Sequence, residues 1–216
     1  VGHTDDVLAE QQVIGAGSRY AKCLRCGSTD RDRLVYLYLR DHTDYLRRTD
    51  IRVLHIAPER CIRKKLEGRL GKNYIAADKF TRGYFYGRRT QRADITALSF
   101  PDVSFTLIIC NHVLEHIPDE RKALAELYRV LAPGGTAILQ VPVSAINERT
   151  IEDSSIATPE ARRRVYGQFD HVRLYGQDYP DRLADAGFHV HIQDIAGQYP
   201  DAALDKRERL FTASRP

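Results

Sequence analysis

The chain has 216 residues, 43% hydrophobic and 29% charged, with 33 basic against 29 acidic side chains for a net charge of +4. That balance excludes wholesale disorder and a collagen-like chain, and the length is enough to bury a full layered core, with one domain expected rather than two. No apolar run nears the roughly 20 residues of a membrane span, no leader-like segment opens the chain and four cysteines are too few for a disulfide framework, so a soluble cytoplasmic protein is expected.

Along the chain, Cys23-Leu24-Arg25-Cys26-Gly27 sets two thiols on a tight turn. A helix is predicted over 30–48, with Val35, Leu39, His42 and Leu46 on one face. The apolar run at 51–56 predicts a buried strand stopped by Pro58. Ile62, Leu66 and Leu70 at four-residue spacing then predict a helix that Gly71 ends. A second strand is predicted at 74–77, ending at Asp78, and a short extended piece at 91–93. Residues 106–110 are continuously apolar, as parallel strands buried on both faces are. Pro118-Asp119 opens a helix with Leu124, Leu127, Tyr128 and Leu131 on one face, and Pro133-Gly134-Gly135 turns the chain into a strand at 136–141. Residues 144–176 are polar, carry Arg162-Arg163-Arg164 and lack clear periodicity, which predicts a lid-like insertion. A helix at 178–186 stops at Gly187, and strands at 188–192 and 210–213 follow.

This alternation predicts the α/β class, a doubly wound, mostly parallel sheet at 51–216 preceded by a helical, zinc-knuckle-like extension at 1–50. Open sheets of this kind bind ligands beyond the carboxyl ends of their strands, where the strand order reverses. The residues at those ends are His55-Ile56-Ala57-Pro58-Glu59, Asp78-Lys79, Asp94-Ile95 and Asn111-His112-Val113-Leu114. Asp78 falls at the distance from the first strand where dinucleotide-type folds place a carboxylate that accepts from vicinal ribose hydroxyls.

The block ADITALSFPDVSFTLIICNHVLEHIPDERKALAELYRVLAPGGTAILQVP at 93–142 resembles the class I S-adenosylmethionine-dependent methyltransferases. In that family a D-I/L-x-x-L-P-F-x-D-x-S-F-D segment, a V-L-E-H-I/V helix start and an L-x-P-G-G turn recur in this order. The resemblance implies a Rossmann-like, seven-stranded sheet and S-adenosylmethionine as cofactor. It carries cofactor contacts to His55, Ala57, Glu59, Asp78, Lys79, Asp94, Ile95, Asn111 and His112. Asp78 would hold the ribose hydroxyls, Asp94 would accept from the adenine amino group with Ile95 against the ring, and Asn111 and His112 would lie beneath the methionine part. Plainer roles stay open: Asp94 as a turn residue, Asn111 as a strand-end cap, Glu115 and His116 as solvent or helix-start residues.

The sequence departs from the family at the first loop, usually acidic-x-Gly-x-Gly-x-Gly. Here His55 stands for the acid and Ala57, Glu59 and Cys61 for the glycines, with Pro58 stiffening the turn. The string H-I-A-P-E is similar to one in a bacterial methyltransferase subgroup of type 11. On that resemblance the loop is rebuilt and Glu59 takes the cofactor's ammonium group. The alternative is a pocket that has lost the cofactor, leaving a catalytically silent domain that acts through a protein partner.

Cys23 and Cys26 are half of a zinc knuckle. The resembled subgroup implies a second C-x-x-C-G at or before Val1, and with no methionine in the chain Val1 is not expected to be the natural start. No metal is assigned. His171, in the lid-like segment, is the candidate general base for an acceptor hydroxyl, with anchoring of the lid as its alternative role. His189 and His191 are expected at the surface. Arg88, Arg89 and Arg162–Arg164 could meet phosphate or carboxylate, a solvated helix face being the plainer reading of the triple. Tyr84 and Tyr86, between Arg82 and Arg88, are the stretch suited to stacking. The expected function is transfer of the methyl group of S-adenosylmethionine to oxygen or nitrogen of a small acceptor, a sugar or secondary metabolite of bacterial metabolism. RNA methylation is the further alternative, nucleic acid being disfavoured by the mild charge. A homodimer or protein partner is left open.

Overall fold

The apolar runs at 53–56 and 105–110 lie at the centre of the sheet because they have no polar face to give to water. The structure is a computed structural model that describes residues 6–16, 22–80 and 86–216. Its first elements are α1 (Asp6–Glu10) and β1 (Val13–Ile14). Next comes α2 (Asp30–Asp41), begun by a capping box in which Thr29 and Asp32 satisfy each other's amides. The helix predicted to reach residue 48 stops six residues short at the C-cap His42. There the Thr43 hydroxyl donates to the Leu39 carbonyl at 2.8 Å, competing with the helical ladder.

The core then builds through β2 (Val53–Ile56), α3 (Arg60–Leu70), β3 (Tyr74–Asp78), β4 (Thr90–Arg92), β5 (Phe105–Cys110), α4 (Glu120–Val130) and β6 (Leu131–Ile138). β7 (Val143–Ser144), α5 (Pro159–Tyr166), α6 (Tyr179–Asp185), β8 (His189–Gln193) and β9 (Leu210–Ser214) complete it. Seven strands form one sheet in the order β4-β3-β2-β5-β6-β9-β8. β9 runs antiparallel to both β6 and β8, and the pairings from β4 to β6 are parallel. Strand order therefore reverses between β2 and β5. Side-chain alternation divides the core in two. Val53, Leu107 and Ile109 face α2 and α3 with Leu34, Leu39, Ile62 and Leu66; Leu54 and Ile108 face α4 and α6 with Leu124, Leu127 and Leu183. α2, in the predicted N-terminal extension, thus packs in the same core as β2. Among the described residues no helix is long and apolar enough to cross a membrane.

Two further expectations change. The Pro133-Gly134-Gly135 turn is taken up inside β6 as a bulge: Leu131 lies opposite Phe105 and Thr136 opposite Leu107, with Gly134 at φ 71°. The segment 144–176 is packed rather than loose. β7 pairs with β1, Ile151 bridges to Leu174, and Tyr166, Leu174 and Tyr175 are buried. Arg173, 3% exposed, donates to the carbonyls of Leu114 and Ile117 at 2.7 Å, of Pro118 at 3.1 Å, and to Glu152 at 2.9 Å. Its polar composition hid these apolar anchors, which are spaced too irregularly to register as a helix or a strand.

Candidate functional site

At the exit of β2 the chain turns through Ala57 at φ 47°, a left-handed conformation that glycine would adopt without strain, while the Ala57 amide donates to the Ala77 carbonyl at 2.8 Å. So the backbone keeps the shape expected of a glycine position without the glycine. Glu59 then caps α3 through its backbone only. His55 is wholly buried, with Nδ1 2.8 Å from Tyr74 Oη and Nε2 2.6 Å from Glu59 Oε2. Asn111 Nδ2 donates to the other oxygen, Glu59 Oε1, at 2.9 Å. Burial pushes the Glu59 carboxyl up, but the His55 contact and the Asn111 donor outweigh it and hold the group below its ordinary value. Tyr74 was not singled out in the sequence; a tyrosine at a strand start carries no signal until the fold sets it beside His55.

Asp78 ends β3 half-buried, taking a long bond, 3.3 Å, from the Phe80 amide, and Lys79 beside it is exposed. Beyond β4, Asp94 Oδ1 accepts from the Thr96 amide at 2.9 Å and hydroxyl at 2.7 Å, which lowers the carboxyl's pKa. Ile95 points into the core and is buried. Beyond β5, Asn111 Oδ1 and His112 Nε2 are buried without hydrogen-bond partners among the described residues, and His112 sits at φ 53°. Arg31, from the first turn of α2, reaches this loop, its Nη1 3.4 Å from His112 Nδ1 and 2.7 Å from the Gly15 carbonyl.

The next turn adds a second group. Glu115 is 2% exposed, not a solvent residue, and Oε2 has no partner. Burial acts to raise its carboxyl, but His112, His116 and His171 around it hold it low. His171 is buried with its ring centroid 4.7 Å from that of His116, edge-on, and burial depresses its pKa. The Val172 amide donates to the Glu115 carbonyl at 2.9 Å, so strand exit and lid-like segment are stitched together here. His171 therefore joins the β5 exit through Glu115 and His116. A cavity of about 350 Å³ lies elsewhere, beyond β6, β8 and β9, lined by residues such as Gln140, Gln177, Lys206 and Phe211. None of the expected cofactor contacts lines it.

The other candidates stay apart. Cys26 is exposed and its thiol is held down to about 7, mainly by Ser28, while Cys61, half-buried, is raised to about 12 by burial. His189 and His191 are exposed on β8, Arg163 and Arg164 on α5, and Arg88 and Arg89 beside β4. Arg82 and Tyr84 lie outside the described residues, and Tyr86 stacks on Phe80 at 4.5 Å.

Residues 63–139 match the family described as methyltransferase domain. Over 106 residues the chain is 31% identical to a malonyl-[acyl-carrier protein] O-methyltransferase of Erwinia billingiae, covering 49% of this chain and 42% of that protein. Over 51 residues it is 45% identical to a demethylmenaquinone methyltransferase of Thermus thermophilus, covering 24% and 23%. The chain thus spans less than half the length of these curated relatives. Among solved structures, an S-adenosylmethionine-dependent methyltransferase from Mesorhizobium loti superimposes with a TM-score of 0.56 at 16% identity, covering 87% of this chain and 99% of that one. A Burkholderia thailandensis 1,6-didemethyltoxoflavin-N1-methyltransferase with bound S-adenosylhomocysteine gives 0.55 at 18% identity, covering 86% and 77%. At these identities the likeness is one of fold, and the fold is that of the S-adenosylmethionine-dependent methyltransferases.

Proposed function

We propose that this chain binds S-adenosylmethionine at the β2/β5 switch point and transfers its methyl group to oxygen or nitrogen of a small-molecule acceptor. The observation that carries this reading is the placement of Asp78, Asp94 and Asn111 at or just past the carboxyl ends of the parallel strands β3, β4 and β5, on the same edge of the sheet as the left-handed Ala57, on a chain whose residues 63–139 match a methyltransferase domain. The orphaned Asn111 Oδ1 fits a bound ammonium group. When bound, the cofactor supplies an electrophilic methyl group on a sulfonium.

The chain's residues hold and orient. Asp78, with only the long Phe80 bond among the described residues, accepts from the ribose hydroxyls, and the exposed Lys79 flanks it. Asp94 spends Oδ1 on Thr96 and has Oδ2 for the adenine amino group, beside the edge of Ile95. Glu59 and Asn111 face the ammonium group, with His112 next to them. His55 has no surface for a ligand, so it acts as a positioning residue that fixes Glu59. Much of the rate enhancement comes from contact geometry between donor and acceptor, and a base is needed only where a hydroxyl must lose its proton; His171, at the β5 exit, takes that place. The names of two relatives, a malonyl-[acyl-carrier protein] O-methyltransferase and a demethylmenaquinone methyltransferase, support a small acceptor group, and a sugar or secondary metabolite fits the same class.

Calorimetric titration with S-adenosylhomocysteine tests the reading. Micromolar binding weakened at least tenfold, about 1.4 kcal/mol, in Asp78→Ala is expected. No binding by the folded protein would sink it.

A further inference from the structure

Three donors outside the expected cofactor contacts converge beyond β5. We propose that Glu115, His116 and His171 form a binding site for a divalent transition-metal ion of the zinc type. Their ligand atoms all lie within 4.8 Å of one another. Two imidazoles and one carboxylate are a donor set that holds zinc and leaves a coordination position open. An ion bonded tetrahedrally at about 2.0–2.2 Å draws its ligand atoms to roughly 3.3–3.6 Å apart, so side-chain rotations of about 1 Å close the site.

A second observation is independent of that spacing. Glu115 is almost wholly buried, yet its Oε2 accepts nothing, while Oε1 lies 3.4 Å from His112 Nδ1. An unpaired carboxylate oxygen in the interior is costly, and a cation removes the cost. One of the imidazoles is also backed as a metal ligand is. His116 Nδ1 lies 3.3 Å from the Asp170 carbonyl and 3.4 Å from its carboxylate. That leaves His116 Nε2 for the ion. Arg173 clamps the turn carrying Glu115 and His116 to the segment carrying His171, so the donors sit on a rigid frame. The His116 side chain, 28% exposed, is the side from which an ion and an acceptor enter.

The site itself stands apart from the cofactor reading, but its consequence for the acceptor rests on it. An ion with three protein ligands has room for an acceptor hydroxyl and lowers its pKa, the proton passing to solvent. The oxygen then bonds to the methyl carbon as the carbon–sulfur bond breaks, the electron pair staying on sulfur. His171 then serves as a ligand rather than as a free base, and the acceptor is a hydroxyl compound.

Zinc chloride is titrated calorimetrically into the chain carrying Cys23→Ser and Cys26→Ser, so that these thiols cannot contribute. One equivalent binding at micromolar affinity or better is expected, weakened at least tenfold in Glu115→Gln and in the more exposed His116→Ala, with far-ultraviolet circular dichroism confirming that each variant is folded. Zinc that binds only with Cys23 and Cys26 present, that binds both variants equally, or that does not bind overturns the site. S-adenosylhomocysteine titrated into the same samples reads the cofactor proposal separately, so either can fail alone.

Discussion

The exits of β2 and β5 lie side by side at the centre of the sheet, and they treat buried polar groups in opposite ways. At β2, His55 spends both nitrogens on protein, and Glu59 has both oxygens engaged by His55 and Asn111. At β5, Asn111 Oδ1, His112 Nε2 and Glu115 Oε2 are buried with no partner among the described residues. Polar groups that are closed on one another build a support, whereas polar groups left open are arranged for something that comes from outside. The β2 exit holds Glu59 in place from within the protein, and the β5 exit beside it leaves buried acceptors open.

Variants break or sharpen this contrast. The largest effect is expected from Arg173→Ala, which strips three carbonyls and Glu152 of one buried cation; urea unfolding should show a loss of about 3–5 kcal/mol. A loss within 1 kcal/mol, on the order of an ordinary surface change, would mean that the β5 exit is not held by this clamp. His55→Ala removes a shared partner of Glu59 and Tyr74 and should cost about 2–3 kcal/mol, together with weaker S-adenosylhomocysteine binding. Unchanged binding would show that Glu59 does not depend on its support.

Acid sharpens the same point. The Glu59 carboxyl is depressed below its ordinary 4.5 in the folded chain, so its pairing contributes fully above that value. The contribution drains away as pH falls through the lower folded pKa. Glu59→Gln should therefore flatten the stability curve of the wild type below about pH 4.5, read from denaturant melts at stepped pH; parallel curves would rule this out. The smallest effect is expected at Ala57. Glycine there relieves the left-handed strain but frees the unfolded chain, so Ala57→Gly should stay within about 1 kcal/mol of the parent, while Ala57→Val, β-branched at φ 47°, should lose more than that. Equal stability of the two would deny the strain.

Much of the fold was legible. The runs at 51–56 and 106–110, the four-residue spacing of Ile62, Leu66 and Leu70, and the stops at Gly71 and Gly187 are local signals, and the structure has elements at each. α2 was overextended because the periodicity through Leu46 takes no account of Thr43 turning back on Leu39. The candidate site was half legible. Asp78, Asp94, Asn111 and His112 follow from strand ends alone, but Tyr74, Arg31 and Arg173 gain meaning only through partners 19 to 81 positions away.

The sequence by itself determined the alternation of strands and helices, the place of the strand ends and the polar residues upon them, because hydrophobic period and turn chemistry act over a few neighbouring residues. Only the tertiary structure decided which of those polar groups are satisfied. His55 and Glu115 are both buried and both ionisable in kind, yet one is closed by Tyr74 and Glu59 and the other is left open beside His116 and His171. That difference arises from which distant segments the sheet order and the Arg173 clamp bring within hydrogen-bond reach, and no local pattern carries it.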